Sequence, residues 1–281
     1  MTEAGRGPLL TADTHSRMMQ ALRDGAAYCE CSLDLGLTVH PVELTPQGFT
    51  WHDSRYPWPT ALKDRTIYYW DGSGFAPVSM YAGSLIKLVP TQWGAPTFEI
   101  DGIKMLPTAR ISPFEDARRK VELMAVRERR VLDTCGGLGY FAAWCRRLGA
   151  TRVLSCEKSP TVLWLRALNP WSPLPDAMLE VLNVGIDEHI ETLADASFDV
   201  ALHDPPRFGI AGELYSRKFY AQLVRVLRPG GTLFHYTGSP NKLTSGRDVP
   251  GEVLRRLQES GFQAQRALDG VLARSVLKPV R

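Results

Sequence analysis

Several features are scarce or absent in this chain of 281 residues. It has no run of about 18 apolar residues, so no segment is predicted to cross a membrane. It begins Met-Thr-Glu-Ala-Gly-Arg-Gly-Pro, without the apolar core that is typical of a signal peptide. Its histidines are scattered and supply no second pair of metal ligands beside Cys29 and Cys31, so no metal site is predicted. The cysteines are odd in number and lack C-x-x-C spacing, which predicts reduced thiols in a cytoplasmic protein: Cys29, Cys31, Cys135, Cys145 and Cys156.

A strong excess of charge is also missing, since the formal net charge is +3. Residues 1–110 hold 9 Lys and Arg against 11 Asp and Glu, and residues 111–281 hold 24 against 19. The basic pairs lie in helical stretches, where a solvated helix face explains them. The pattern therefore disfavours a nucleic-acid partner and favours a small-molecule substrate.

The most informative feature that is present is a glycine turn at residues 131–140, Val-Leu-Asp-Thr-Cys-Gly-Gly-Leu-Gly-Tyr. A short apolar strand leads into the turn, and a helix is predicted to begin near Phe141. The glycines at 136, 137 and 139 let the backbone take positive φ angles and approach a ligand, which the helix N-terminal amides then face. A second strand follows and ends at Glu157, 24 residues after Asp133. An acid at this place accepts hydrogen bonds from ribose hydroxyls.

Two further strand ends carry polar residues. An apolar strand at Leu179–Leu182 closes on Asn183 and Asp187, and another at Phe198–His203 leads into Asp204-Pro205-Pro206. In an open α/β sheet, ligands bind outside the carboxyl ends of the strands. The sequence therefore predicts a ligand site along this edge.

This order of motifs, over roughly residues 113–281, resembles the class I S-adenosylmethionine-dependent methyltransferases. The resemblance implies that Asp133 and the turn at 136–139 lie by the methionine part of S-adenosyl-L-methionine, that Glu157 binds its ribose and that Asp187 binds its adenine amino group. The sequence departs from the family at Gly185-Ile186-Asp187, where an acid commonly follows the glycine directly. A nicotinamide dehydrogenase is the rival class, but the turn lacks the G-x-G-x-x-G spacing. The candidate cofactor-binding residues are Asp133, Cys135, Gly136, Gly137, Gly139, Glu157, Lys158, Asn183, Asp187 and Asp204.

The pattern of secondary structure predicts an α/β protein in two domains. In residues 1–110 we predict a helix at 12–29 and a small antiparallel β domain, which serves as a lid, a substrate contact or a dimer contact. After Pro113 a helix is predicted to about Met124, and strands then alternate with helices to Arg281. Residues 111–281 are thus predicted to form a Rossmann-like, doubly wound, mostly parallel seven-stranded sheet. The strand-like runs of the first domain are residues 33–40, 48–51, 66–70, 81–89 and 97–105.

A second resemblance concerns both halves of the chain. Residues 86–107 look like the β-hairpin of aminopropyltransferases such as spermidine synthase, and Phe198 to Gly231 is similar to their loop, helix and turn. The chain also resembles predicted archaeal methyltransferases with Asp-Thr-Cys-x-Gly-Leu-Gly-Tyr, Asn-Pro-Trp-Ser and His-Asp-Pro-Pro-Arg-Phe. The polyamine enzymes carry extra carboxylates in the catalytic loop, whereas Arg207 and Phe208 follow Asp204 here. A polycationic acceptor would be repelled.

The candidate catalytic residues are Asp204, Tyr140 and Tyr236. Asp204 would position an acceptor opposite the cofactor, and an aromatic face can attract a sulfonium through a cation–π interaction. For His203 and His235, which end apolar strands, a hydrogen-bonded structural role is favoured over that of a general base. Other aromatic residues near predicted strand ends are Trp144, for which core packing is favoured, and Trp171, Phe208 and Tyr215.

Three functions remain open. The first is methyl transfer from S-adenosyl-L-methionine to a small-molecule amine, hydroxyl or thiol. The second is attack at the methionine γ-carbon with release of 5′-methylthioadenosine, either by the cofactor's own amine to give azetidine-2-carboxylate or in aminopropyl or aminocarboxypropyl transfer. The third is a non-catalytic module that senses the nucleotide. A homodimer is left open, and Trp93 is a candidate lid residue.

Overall fold

The protein is described by a computed structural model, which covers residues 7–238 and 248–276. The chain divides into two compact units, and each of them consists of two separate segments of the sequence. The first unit comprises Met1–Asp116 and Trp164–Ser172, and the second comprises Ala117–Leu163 and Pro173–Arg281. The domain boundary expected at residue 110 stays a prediction.

The first unit is built mainly from short antiparallel strands. Its helix α1 (Ala12–Arg23) is capped by Thr11, whose side chain accepts a hydrogen bond from the backbone N–H of Thr14. Three antiparallel sheets have the orders β1-β6-β7, β2-β3-β4-β5 and β11-β10-β9-β8. The strands are β1 (Leu9–Leu10), β2 (Tyr28–Cys31), β3 (His40–Thr45), β4 (Gly48–Trp51), β5 (Ser54–Pro57), β6 (Tyr68–Trp70), β7 (Phe75–Pro77), β8 (Ser79–Tyr81), β9 (Leu85–Val89), β10 (Thr97–Ile100) and β11 (Ile103–Lys104).

One predicted helix and one predicted strand of this unit differ most from the structure. The helix predicted at 12–29 ends at Arg23, because Gly25 at φ 81° turns the chain toward β2. The strand predicted at 33–40 is a turn, in which Asp34 accepts hydrogen bonds from the side chain of Ser32 and the backbone N–H of Thr38. Side-chain bonds of this kind compete with strand pairing, and they are hard to read from an apolar pattern.

An apolar core holds α1 against the sheet β2-β3-β4-β5 in the first unit. Met18 of α1 is fully buried and packs with alternating residues of β2 and β3. Partly buried aromatic side chains surround this core. Its buried members are Leu10, Met18, Cys29, Cys31, Leu33, Val42, Leu44, Phe49 and Tyr68.

The second unit contains a seven-stranded sheet in the order β14-β13-β12-β15-β16-β18-β17. Four strand pairs are parallel, and β18 pairs antiparallel with both β16 and β17. The strands are β12 (Arg130–Asp133), β13 (Arg152–Cys156), β14 (Leu179–Leu182), β15 (Phe198–His203), β16 (Leu227–Tyr236), β17 (Phe262–Ala267) and β18 (Gly270–Ser275). The helices are α2 (Pro113–Glu122), α3 (Tyr140–Arg147), α4 (Pro160–Leu168), α5 (Ile186–His189), α6 (Arg217–Val226) and α7 (Val249–Glu259), of which α2 and α4 cross the unit boundary.

The central strands are apolar along nearly their whole length, as expected when helices cover both faces of a parallel sheet. Val131, Leu132 and Val153 are fully or almost fully buried, and only polar residues at the strand ends interrupt this pattern. The prediction of an α/β chain with a large, mostly parallel sheet beside antiparallel β-rich regions is confirmed.

Across residues 7–238 and 248–276, we find no helix that is both long and apolar enough to span a membrane.

Candidate functional site

The parallel strands end side by side at one edge of the seven-stranded sheet, which we call the carboxyl edge. It consists of the residues that end or follow β12 to β16. Asp133 ends β12 and pairs in register with Ser155 of β13 and Leu202 of β15. Its carboxylate is fully buried and accepts a hydrogen bond of 2.8 Å from the Ser155 hydroxyl. The strand register thus holds an acid directly beneath the glycine turn.

The glycine turn depends on backbone conformations that favour glycine. Gly137 and Gly139 lie at φ 49° and 78°. The N–H of Gly136 donates to the carbonyl of Cys156 at 2.8 Å, and the N–H of Gly139 donates to Gly136 at 2.7 Å. Gly139 is the N-cap of α3, and Tyr140 is the first helical residue. The turn therefore joins two strand ends and presents a helix N-terminus beside them.

Glu157 follows β13 and is fixed against this turn. One carboxylate oxygen accepts the N–H of Gly137 at 2.9 Å, and the other accepts the N–H of Ser159 at 2.8 Å. The side chain of Asn183 donates to the carbonyls of Glu157 and Lys158, at 2.8 and 3.0 Å. These bonds tie the ends of β13 and β14 to the turn, and they bring four of the predicted residues together.

Gly185 precedes α5 and was not among the candidate cofactor-binding residues. A Cβ atom at this position would lie 2.6 Å from Oδ1 of Asp187 and 3.5 Å from Cδ of Lys158. Its φ of −75° suits any residue, so a side chain at this position would require only that Asp187 move. The side chains of Lys158 and Asp187 thus both lie close to Gly185.

Cys135 lies among the acids of the carboxyl edge. Burial raises the pKa of its thiol well above the usual range, and the negative charges of Glu157, Asp204 and Asp133 raise it further. The thiol is therefore protonated at neutral pH, and it is suited neither to nucleophilic attack nor to metal binding. Three predicted acids that end or follow β12, β13 and β15 therefore lie within electrostatic reach of Cys135.

The loop after β15 is held by aromatic side chains. The buried Tyr215 donates its hydroxyl to the carbonyl of Pro206 at 3.1 Å. Phe208 packs edge-on against Tyr215 at 5.4 Å between ring centroids. The guanidinium of Arg256 lies 5.7 Å from the Phe208 ring and also donates to the carbonyl of Tyr215 at 3.0 Å. Phe208 is thus part of a stack that fixes the loop which follows Asp204.

Two histidines form a buried layer below the ends of β15 and β16. Nε2–H of His203 donates to the carbonyl of Leu214 at 3.0 Å, and its Nδ1 accepts from the Thr134 hydroxyl at 2.7 Å. Nδ1–H of His235 donates to the carbonyl of Tyr236 at 2.8 Å, and its Nε2 accepts from the Tyr220 hydroxyl at 2.9 Å.

Both histidines are neutral at pH 7. Burial lowers the pKa of His235 to about 4, and burial together with the neighbouring His235 lowers the pKa of His203 well below its usual range. Their rings pack edge to face at 4.5 Å. Each ring nitrogen has a protein partner, which supports the structural role expected for both residues over that of a general base.

The remaining aromatic candidates lie in different settings. Tyr140 opens α3 and is buried, and Tyr236 ends β16 with Nζ of Lys120 4.2 Å from its ring centroid. Trp144 is only partly buried, and the guanidinium groups of Arg118 and Arg147 lie 5.8 and 5.0 Å from its ring. The core role expected for Trp144 is therefore wrong, because the positions of α3 that face the core hold smaller residues.

Two further aromatic residues belong to the first unit. Trp171 donates its indole N–H to the carbonyl of Leu35 at 3.0 Å, and its ring packs edge-on against Phe114. Trp93 is 40% exposed and donates its indole N–H to the carbonyl of Thr108 at 3.1 Å. The lid role of Trp93 stays a prediction.

A metal centre is not evident in the part of the chain that the structure describes, where no three His, Cys, Asp or Glu side chains are grouped to hold an ion.

Solved structures with this fold include spermidine synthases. A spermidine synthase in complex with the transition-state analogue AdoDATO matches 72% of this chain and 74% of its own at a TM-score of 0.58, with 17% sequence identity. The spermidine synthase of Thermotoga maritima matches 72% of this chain and 73% of its own at 0.54, with 18% identity. The chain therefore has the class I S-adenosylmethionine methyltransferase-like fold, in a form related to spermidine synthase.

At the level of sequence, no family model matches the chain. The uncharacterized protein MJ1233 of Methanocaldococcus jannaschii is 43% identical over 195 residues, which cover 69% of this chain and 67% of that protein. The chain belongs to the same protein family as MJ1233.

Proposed function

We propose that this chain is an S-adenosyl-L-methionine-dependent transferase, and that its reaction is methyl transfer to a small-molecule acceptor. The observation that carries the proposal is the contact between Glu157 and Gly137, which sets a carboxylate beside the glycine turn at the carboxyl edge. A ribose with two hydroxyls fits a carboxylate that is fixed in this way, because each oxygen can accept a further hydrogen bond. The fold shared with spermidine synthase supports the same cofactor.

The cofactor's parts are assigned along the edge from β12 to β14. The methionine part lies against Asp133, Cys135 and the turn at 136–139, and the ribose lies on Glu157. The adenine lies by Asp187, whose carboxylate stands over Gly185 beside Lys158. Asn183 binds no cofactor atom in this assignment but holds the backbone of Glu157 and Lys158 in place.

The acceptor is assigned to the ends of β15 and β16, where Asp204 and Tyr236 lie, with Tyr140 beside the turn. The sulfonium polarises its S–CH₃ bond, so the protein has to align a nucleophile with the methyl carbon and exclude water. The nucleophile forms a bond to this carbon, the S–C bond breaks with its electron pair on sulfur, and S-adenosylhomocysteine leaves. Asp204 orients the acceptor and accepts its proton.

A second candidate is attack at the methionine γ-carbon, and the Asp204 loop favours it. The Tyr215 hydroxyl donates a hydrogen bond to the carbonyl of Pro206, and the Phe208 ring packs against Tyr215. The Pro206 carbonyl and the Phe208 ring are therefore less available to bind a separate acceptor amine. In the intramolecular form, the cofactor's own α-amine forms a bond to the γ-carbon and loses a proton. The S–Cγ bond breaks, its electron pair stays on sulfur, and the products are 5′-methylthioadenosine and azetidine-2-carboxylate. An aminopropyl or aminocarboxypropyl transfer would use an external nucleophile instead.

The test is to incubate the purified protein with S-adenosyl-L-methionine, with and without a small-molecule extract, and to separate the products by liquid chromatography with mass detection. Release of S-adenosylhomocysteine only with extract supports methyl transfer. Release of 5′-methylthioadenosine without extract supports the γ-carbon reaction. Cofactor binding without any product would support the sensing module, and absence of binding would overturn the proposal.

A further inference from the structure

Lys120 is a buried cation beside Tyr236 of the carboxyl edge, and the function proposed above does not use it. It lies in the last turn of α2, and only 1% of its surface is exposed. Its ammonium group lies 3.2 Å from Oδ2 of Asp269 and 4.2 Å from the ring centroid of Tyr236. Lysine is almost never fully buried unless it is paired, so this position has a specific partner set.

Asp269 connects this lysine to the end of β16. It lies in the turn between β17 and β18, and its carbonyl accepts the N–H of Thr237 at 3.2 Å. Tyr236 pairs in register with Gly270. The turn is therefore anchored at Tyr236 and at the next residue, Thr237. Lys120, Asp269 and Tyr236 are thus held together by three different elements: α2, this turn and β16.

This cluster adjoins the part of the edge assigned to the acceptor. His203 of β15 pairs in register with His235 of β16, so Asp204 and Tyr236 are the next residues on two neighbouring strands. Burial raises the pKa of the Tyr215 phenol, and Asp204, Cys135 and Tyr236 all raise it further, so each of these three groups lies within electrostatic reach of Tyr215. The Lys120 cluster thus includes the residue of β16 that follows His235, beside the strand end that leads into Asp204.

We propose that Lys120 is a positioning residue that also sets specificity at this site: it fixes the Tyr236 ring and occupies one of its faces with an internal cation. This inference rests on the proposed function. A ring face that already holds an ammonium group does not attract a second cation, and a buried positive charge repels one. Tyr236 is then a support for a neutral or anionic acceptor and is not the aromatic partner of the sulfonium, and a polycationic acceptor is disfavoured.

The test compares a cationic ligand with its neutral counterpart. S-adenosylmethionine carries the sulfonium, and S-adenosylhomocysteine has a neutral thioether in its place. We would measure both dissociation constants by isothermal titration calorimetry for the wild type, Lys120→Met and Lys120→Arg. If Lys120 only maintained the fold, its substitution would change both affinities by the same factor. If Lys120 acts as an internal cation, its substitution changes the ratio of the two dissociation constants.

In Lys120→Met we expect the preference for S-adenosylmethionine over S-adenosylhomocysteine to rise by about three- to tenfold, because the repelling charge is gone. Lys120→Arg keeps a cation that stacks on aromatic rings, and it should retain the wild-type ratio. The matched control is Lys218→Met, which removes an exposed lysine paired with Glu191 in the same unit, and its ratio should not change.

A second variant covers the case in which Lys120→Met fails to fold because it leaves the partly exposed carboxylate of Asp269 without its cation. Asp269→Asn keeps Lys120 and removes its counter-charge, so the preference for S-adenosylmethionine should fall. A wild-type protein that binds neither nucleoside would overturn the proposed function and this inference together. A wild-type protein that binds both, with an unchanged ratio in a folded Lys120→Met or Asp269→Asn variant, would overturn this inference alone.

Discussion

The carboxyl edge has two halves that are built in different ways. From β12 to β14 the predicted cofactor groups are held by hydrogen bonds to backbone groups of neighbouring strand ends and of the glycine turn, such as the contact of Glu157 with Gly137. At β15 and β16 the neighbouring groups are held by side-chain contacts, and one of them, Lys120, comes from a distant part of the chain. The first half suits a cofactor of constant shape, and the second suits a reacting group that differs between related enzymes. We call these the cofactor half and the acceptor half.

The largest expected difference between the two halves is a loss of folding stability at acid pH. We assign this loss to the acceptor half, because His203 and His235 lie there. Burial holds the pKa of His235 at about 4, below the usual 6.5, so the folded state binds this proton more weakly than the unfolded state does. The contribution of His235 is fully present above pH 6.5 and is lost as the pH falls toward 4, at a cost of about 3 kcal/mol. His203 acts in the same direction.

This loss is measured by urea unfolding at several pH values between 7 and 4.5. A His235→Gln variant should be less stable at pH 7, and its stability should fall less steeply over this range. Equal slopes for variant and wild type would show that His235 does not carry the acid sensitivity.

The next effect tests the cofactor half. Glu157→Ala removes the carboxylate that bonds to Gly137 and Ser159, and it should weaken binding of S-adenosylhomocysteine by about 10- to 100-fold. Calorimetric titration measures this. Glu180→Ala is the matched control, because Glu180 lies on β14 in an exposed pair with Arg152. Unchanged affinity in Glu157→Ala would remove the basis of the site assignment.

A smaller effect separates the binding role of the glycine turn from its backbone strain. Gly139 and Gly149 lie at opposite ends of α3 with similar φ angles, 78° and 82°. Alanine at either position should cost about 1–2 kcal/mol of stability, because a side chain is strained in the left-handed region. Only Gly139→Ala should also weaken cofactor binding. Thermal unfolding and calorimetry on both variants measure this, and equal affinities would contradict a role for the turn in binding.

The smallest effect returns to the acceptor half. Tyr215→Phe removes the hydroxyl that holds Pro206, and Tyr220→Phe removes the hydroxyl that bonds to His235. Each should cost about 1 kcal/mol of stability through a lost buried hydrogen bond. Turnover of S-adenosylmethionine should fall only in Tyr215→Phe, with the affinity for S-adenosylhomocysteine unchanged. A similar loss of turnover in both variants would show that the Pro206 contact has no special role.

The sequence predicted the cofactor half better than the acceptor half for a physical reason. Strands at 179–182 and 198–203 follow from apolar runs closed by polar residues, and the glycine turn is local. The contact of Lys120 with Asp269 depends on the order of strands β16, β18 and β17, which no local pattern encodes. Lys120 itself reads as an ordinary basic residue in the last turn of a helix.

The first unit shows the same limit in its turns. The run at 81–89 was predicted as one strand, but Gly83 at φ 80° divides it into parts of β8 and β9. The run at 97–105 is likewise divided, by Asp101 and Gly102 at positive φ. Both segments are hairpins whose turns contain a glycine. The sequence therefore predicted most of the strand residues but not the turn that pairs the two strands of each hairpin.

The discontinuous first unit has a consequence for the order in which the chain folds during synthesis. Trp164 packs edge-on against Tyr69, and Trp171 donates to the carbonyl of Leu35, so a piece made late completes a unit begun early. A growing chain that ends at residue 116 lacks these contacts. The first unit has all its residues only after synthesis has reached residue 172. Cutting the gene at the apparent boundary near residue 110 would therefore give two fragments, each deprived of packing that it has in the intact protein.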